Sequence, residues 1–154
     1  MFSPPVNFLG LGFGSGLSPW MPGTMGTVAA IAPYLALQSL PLWLYLSFVL
    51  AAALVGIVIC GATADALGVH DHGAIVWDEF VGFWVTMIAA PAGWQWVVAG
   101  FLLFRFFDIV KPWPIRWLDE HVGGGVGIML DDLIAGIMAF VCLQCTHYAL
   151  SRLV

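Results

Sequence analysis

Charged side chains are scarce in this sequence of 154 residues. Only 8% of the residues are Asp, Glu, Lys or Arg, and the mean hydropathy is +1.00. A water-soluble domain of this size needs a largely polar surface, so the composition excludes that class and predicts an integral membrane protein. With four basic residues in the whole chain, a nucleic-acid partner is not expected.

Cysteine is also scarce, and the start of the chain has no signal-peptide pattern. Cys60, Cys142 and Cys145 lie inside apolar runs, where a thiol packs as a small hydrophobic side chain. We therefore expect no disulfide framework. The first dozen residues contain no Lys or Arg, so we expect the N-terminus to stay on the mature chain.

Long apolar runs are abundant, and Pro or Gly separates several of them. The runs lie at 25–38, 42–64, 80–90, 95–107 and 133–150. Breaks are expected at 39–41 and 91–93 because Pro and Gly interrupt helices. The pattern predicts one all-α membrane domain, 1–154, with about five transmembrane or re-entrant helices arranged as two hairpins plus a C-terminal helix.

The hairpin arrangement determines where the charges lie. It places 12–24, 65–79 and 105–132 on one face of the membrane, and all nine acidic residues fall within the last two segments. A continuous span from 81 to 104 is the alternative, and it would separate Asp78 from Asp108. Because three of the four basic residues share the acidic face, the positive-inside bias predicts that this face is cytoplasmic.

Three polar motifs precede apolar runs, and the first two are short. The first, GFGSGLSPWMPGTMGT at 12–27, offers exposed backbone N–H groups and a helix N-terminus, which suit a phosphate, with Thr24 as the expected N-cap. Glycines that only allow turning are the alternative. The second, GVHDHGAIVWDEFVG at 68–82, puts Asp71, Asp78 and Glu79 before or within the start of a helix, where its dipole favours acids.

The third motif is FRFFDIVKPWPIRWLDEHVGGGVGIMLDD at 104–132. Its two prolines predict a stiff, non-helical strap that holds Lys111 and Arg116 in place. These cations could bind a substrate phosphate or attract anionic lipid heads. Trp113 and Trp117 are typical of the membrane interface.

Asp131 and Asp132 stand directly before the last apolar run, where we expect the entrance of a helix. An N-cap would explain one of them. Together with the acids of the other motifs, they form an oxygen-only set of the kind that binds Mg²⁺ alongside substrate phosphates. We therefore expect a magnesium site on the acidic face.

The three motifs, in this order, closely resemble the phosphatidylglycerophosphatase A family of bacterial inner-membrane enzymes over about residues 10–138. The resemblance implies a multi-pass, Mg²⁺-dependent phosphatase that converts the phospholipid phosphatidylglycerophosphate to phosphatidylglycerol. The catalytic and metal-binding residues that it implies are Asp78, Glu79, Asp108, Asp131 and Asp132, with Asp71 as a further metal ligand. The substrate-binding residues that it implies are Ser18, Gly23, Thr24, Lys111 and Arg116.

Other classes of phosphatase have characteristic sequence motifs. The motifs of cysteine, aspartate-nucleophile and histidine-nucleophile phosphatases are absent, which leaves metal-assisted attack by water. An aspartyl-phosphate intermediate stays open. The competing class is a small transporter or channel with a carboxylate-lined ion site. The runs 25–38, 42–64 and 80–104 carry no charge, which argues against an ion path.

Overall fold

The computed structural model describes residues 4–69 and 72–154, and all regular structure within them is helical. The predicted all-α class is therefore confirmed. The elements are α1 (Pro4–Gly10), a 3₁₀ segment (Gly12–Leu17), α2 (Pro22–Leu37), α3 (Leu42–Leu67), α4 (Trp77–Thr86), α5 (Trp94–Val110), α6 (Ile115–His121) and α7 (Gly124–Leu153). Helices α1 and α6 are additional to the roughly five helices that the sequence predicted. Both are short and come from segments outside the long apolar runs.

Two helices, α3 and α7, are long and apolar enough to cross a membrane. The outer surface of α3 carries apolar side chains at four-residue spacing, which places them in one row along the helix. The row consists of Leu46, Leu50, Leu54 and Val58, all exposed. A row of this kind would be unfavourable against water and suits contact with acyl chains, in agreement with membrane association.

The stretch 81–104 is not one helix, because the chain leaves the helical conformation between α4 and α5. The break begins at Met87, four residues before Pro91, and Ala89 has a positive φ of 51°. Gln144 of α7 donates hydrogen bonds to the carbonyls of Ile88 and Ala89, both at 3.1 Å. The side chain thus satisfies two carbonyls of the turn that follows α4.

Glycines allow α7 to pack closely against α4. A Cβ atom on Gly136 would lie 2.5 Å from the carbonyl oxygen of Gly82, and one on Gly82 would lie 2.9 Å from the carbonyl oxygen of Asp132. Gly82 follows Asp78 by one helical turn, and Gly136 follows Asp132 by one turn. The close contact therefore brings the carboxylates of the two helices towards each other.

Helix α7 begins earlier than the sequence predicted. Its first residue is Gly124, so Asp131 lies seven residues, about two turns, inside the helix. The prediction that Asp131 and Asp132 mark a helix entrance is wrong, and neither residue is an N-cap. Glycines disfavour helix in isolation, but a Cβ on Gly125 would lie 1.9 Å from the carbonyl oxygen of Ile57, so packing on α3 favours this segment as helix.

Candidate active site

A cavity of about 180 Å³ lies where the start of α4, the end of α5 and the third turn of α7 meet. We call it the carboxylate cavity. Its ionisable lining residues are Asp78, Glu79, Asp108, Lys111, Asp131 and Asp132. Five of the six carboxylates that the sequence nominated, from three separate segments, thus share one small space.

The carboxylates are deeply placed. Asp78 is 5% exposed, and Asp131 and Asp132 are each 4% exposed. Asp78 and Glu79 occupy the first turn of α4, as predicted, where the helix dipole stabilises negative charge. The dipole offsets only part of the cost of so many buried acids, so the cavity needs positive charge.

The donor set fits a hard divalent cation. Glu79, Asp108 and Asp132 each offer a carboxylate oxygen, and these atoms lie within 4.8 Å of one another. Magnesium binds oxygens at about 2.0–2.1 Å, so two ligands of one ion are up to about 4.2 Å apart, which is close to the spacing of these three oxygens. Among the described residues, the buried Oδ2 of Asp132 has no hydrogen-bond partner. A cation would satisfy this atom.

Arg105 supplies a positive charge that the sequence analysis left without a role. Its guanidinium lies 3.6 Å from Glu79 Oε1 and donates a hydrogen bond to Asp108 Oδ2. The side chain is 13% exposed. The sequence contains one signal for this ion pair: Arg105 and Asp108 are three residues apart on an apolar helix, so their side chains lie on the same face.

The start of α2 packs against one of these carboxylates, Glu79. A Cβ on Gly23 would lie 2.6 Å from Glu79 Oε1 and 3.2 Å from Arg105 Nη2. Only glycine leaves room for Glu79 here. Thr24 is not the predicted N-cap, since α2 begins at Pro22 and Met21 precedes it with a left-handed backbone and no side-chain cap.

The remaining nominated residues are less central. Ser18 does not line the carboxylate cavity, and its hydroxyl pairs with the backbone N–H and carbonyl of Trp20 in a local turn. Asp71 lies outside the described residues. His72, which follows it, is exposed, and its ring nitrogen accepts a hydrogen bond from the N–H of Ala74 at 3.1 Å.

Of the two basic residues nominated from the strap, one lines the carboxylate cavity and the other does not. Lys111 lines it, and its Nζ lies 3.2 Å from Asp119 Oδ2. Arg116 is exposed on the first turn of α6 and lines a neighbouring cavity instead. The chain is non-helical only from Lys111 to Pro114, so Arg116 lies beyond the predicted strap.

The chain is similar to known proteins over most of its length. The model of the phosphatidylglycerophosphatase A family matches residues 8–147. A phosphatidylglycerophosphatase A of Escherichia coli (strain K12) is 53% identical over 138 residues, which are 89% of this chain and 80% of that protein. A protein of the same name from Haemophilus influenzae is 46% identical over 94% of this chain and 90% of its own length.

A more distant relative from Bacteroides thetaiotaomicron, provisionally named a phosphatidylinositol-3-phosphatase, is 38% identical over 92% of this chain and 93% of its own length. No solved structure matches the chain. The family model spans nearly all of the described residues, including every carboxylate of the cavity. The chain therefore belongs to the phosphatidylglycerophosphatase A family.

Proposed function

We propose that this protein is a lipid phosphatase that hydrolyses phosphatidylglycerophosphate to phosphatidylglycerol and phosphate. The two most similar relatives described above carry the name of this activity. The observation that carries the assignment to a site is the convergence of five carboxylates in one cavity of about 180 Å³. Such a set repels a bare phosphate, so the reaction at this cavity requires a cation.

The cation that suits this donor set is Mg²⁺. Glu79, Asp108 and Asp132 would hold it, because their oxygens converge and are all hard ligands. Asp78 and Asp131 line the same cavity and would complete or orient the set. When bound, the ion supplies positive charge to the transferring phosphoryl group and lowers the pKa of bound water.

The chain's own residues prepare the site for the phosphate. The N-terminal end of α2 lies against Glu79 and stabilises its negative charge. Arg105 keeps Glu79 and Asp108 turned towards each other. Lys111 stands at the margin of the cavity, with Asp119 fixing its ammonium, and contacts the phosphate as it enters.

We also propose a multi-pass arrangement in a bacterial inner membrane, with the carboxylate cavity at the cytoplasmic face. The turns at 38–41 and 87–93 line one cavity, whereas the charged residues of α4, α5 and α7 line the carboxylate cavity. Cysteine labelling tests this in a background that lacks the three native cysteines. Ser39→Cys and Glu120→Cys should react from opposite sides of the membrane, and reaction from the same side would contradict the proposal.

The activity is tested by phosphate release from phosphatidylglycerophosphate with the purified chain in detergent. Release should require Mg²⁺, stop on chelation and stop in Asp132→Asn. Asp65→Asn is the matched control, because Asp65 is an exposed acid at the end of α3 that lies outside the carboxylate cavity. No release by the unmodified chain, or equal loss in both variants, would reject the assignment.

A further inference from the structure

A second cavity, of about 440 Å³, adjoins the carboxylate cavity, and Lys111 lines both. We call it the strap cavity. Besides Lys111, its wall includes Val110, Pro112, Trp113, Arg116 and Trp117. We propose that the strap cavity binds the phosphodiester of the lipid substrate while the carboxylate cavity receives the terminal phosphate, an inference that rests on the proposed function.

The volumes of the two cavities indicate which phosphate of the substrate each one binds. The carboxylate cavity has room for roughly six water molecules at about 30 Å³ each. A phosphoryl group and a partly hydrated cation fill such a space, so the glycerol and the phosphodiester must lie outside it. The strap cavity is the adjoining space of sufficient volume, and Lys111 connects the two.

Depth in the membrane favours the same assignment. Trp113 is 80% exposed and Trp117 is 51% exposed. Exposed tryptophans prefer the level of the lipid headgroups, which is where the phosphodiester of every phospholipid lies. Ile109 and Val110, at the end of α5, are also exposed and apolar, so this surface continues towards the acyl chains. A lipid could therefore reach the strap cavity without leaving the bilayer.

Charge favours a phosphodiester in particular. Among the described residues, no carboxylate oxygen lies within 4.0 Å of the Arg116 guanidinium, whereas Arg105 and Lys111 each have an acidic partner. The planar guanidinium can donate two hydrogen bonds to one phosphate. Glu120 also lines the cavity, and its charge disfavours a doubly charged monoester more than a singly charged diester.

The test uses two inhibitors that carry one phosphate type each. Phosphatidylglycerol has the diester without the monoester, and inorganic phosphate represents the monoester. Initial rates are measured with phosphatidylglycerophosphate labelled in its terminal phosphate, so that added phosphate does not obscure the product. Diacylglycerol, which has acyl chains and no phosphate, corrects for dilution of the substrate in the micelle surface.

In Arg116→Gln, the inhibition constant of phosphatidylglycerol should rise about tenfold or more, while that of inorganic phosphate stays unchanged. Arg116→Lys should fall between Arg116→Gln and the unmodified chain, because it keeps the charge and loses the planar fork. Arg152→Gln is the matched control: its guanidinium contacts Tyr148 near the end of α7, and both inhibition constants should stay unchanged.

Three results would overturn the proposal. One is equal weakening of both inhibitors in Arg116→Gln, and another is no change in either. The third is inhibition by phosphatidylglycerol no stronger than that by diacylglycerol in the unmodified chain. In each case phosphatidylglycerophosphate is still hydrolysed, so the proposed function stands. Failure of the unmodified chain to release phosphate would instead reject both.

Discussion

A cavity at one end of the helix bundle is larger than the carboxylate cavity at the other end, but its lining is less reactive. At the end formed by the turns at 38–41 and 87–93, a cavity of about 430 Å³ is lined mostly by apolar groups, with Tyr34, Gln38 and Tyr45 as its polar side chains. The carboxylate cavity at the other end is less than half that volume. Donor chemistry, rather than volume, therefore marks the candidate site.

The two ends also differ in how their buried polar atoms are satisfied. At the turn end, the Tyr45 hydroxyl donates to the carbonyl of Trp84 at 2.5 Å, and the Trp84 indole donates to the carbonyl of Ala30 at 3.1 Å. At the carboxylate end, Asp132 Oδ2 and Arg105 Nε are buried without hydrogen-bond partners among the described residues. The satisfied polar atoms stabilise the turn end, whereas the unpartnered atoms at the carboxylate end support the proposal that this end binds a cation.

The largest expected effect is at the carboxylate end. Asp132→Asn removes one charge from the converging oxygens, so phosphate release should fall by about a hundredfold or more. Magnesium should raise the thermal unfolding midpoint of the unmodified chain, because a ligand that binds the folded state stabilises it. The variant should lose that increase. If magnesium stabilises the variant as well as it does the unmodified chain, Asp132 is not a ligand.

Arg105→Gln should have the next largest effect, which is on the free energy of unfolding and is greatest in the metal-free protein. Without the guanidinium, Glu79 and Asp108 are largely buried acids that repel each other. The free energy of unfolding should therefore fall by about 3 kcal/mol. Magnesium should restore much of this loss, since it replaces the missing charge. Arg105→Lys should restore part of it without metal. Thermal and denaturant unfolding with and without Mg²⁺ would measure the loss of stability and its restoration. If the metal-free stability of Arg105→Gln equals that of the unmodified chain, the assigned role is wrong.

Gly136→Ala should disturb the carboxylate end through packing alone. The added methyl group would lie 2.5 Å from the carbonyl oxygen of Gly82, so α4 and α7 must separate. Overpacking of this kind costs about 1–3 kcal/mol, and phosphate release should fall as the carboxylates move apart. Gly61→Ala is the control: its Cβ would meet Gly125 at 3.4 Å, an ordinary contact. Equal stability of the two variants would show that close helix contact does not position the site.

The grouping of five carboxylates in one cavity could be predicted from the sequence, because isolated acids are costly in a chain this apolar. Asp78 and Glu79 were assigned to the start of a helix from their position before an apolar run, and α4 begins there. Asp108 and the pair at 131–132 were expected on the same face as these two, and they share the carboxylate cavity.

The position of Asp131 within its helix and the ion pairs of Arg105 could not be predicted in the same way. The glycines at 123–125 indicate a loop by local propensity, but contacts with α3 make most of this segment helical and place Asp131 about two turns inside α7. The ion pairs of Arg105 depend on how α4 and α5 pack, which no local pattern specifies. Ser18 was grouped with its motif, yet its hydroxyl is used within its own turn.

The smallest expected effect is at the turn end, where Tyr45→Phe removes one hydrogen bond and little volume. The carbonyl of Trp84 would lose its donor in a buried setting, so the free energy of unfolding should fall by about 1 kcal/mol. Phosphate release and its Mg²⁺ requirement should not change, because Tyr45 lines the uncharged cavity. Tyr148→Phe, at a 60% exposed position near the end of α7, should alter neither quantity. Denaturant unfolding in detergent and the phosphate-release assay measure the two effects separately. A loss of activity in Tyr45→Phe comparable to that in Asp132→Asn would mean that the two ends do not divide stability and chemistry between them.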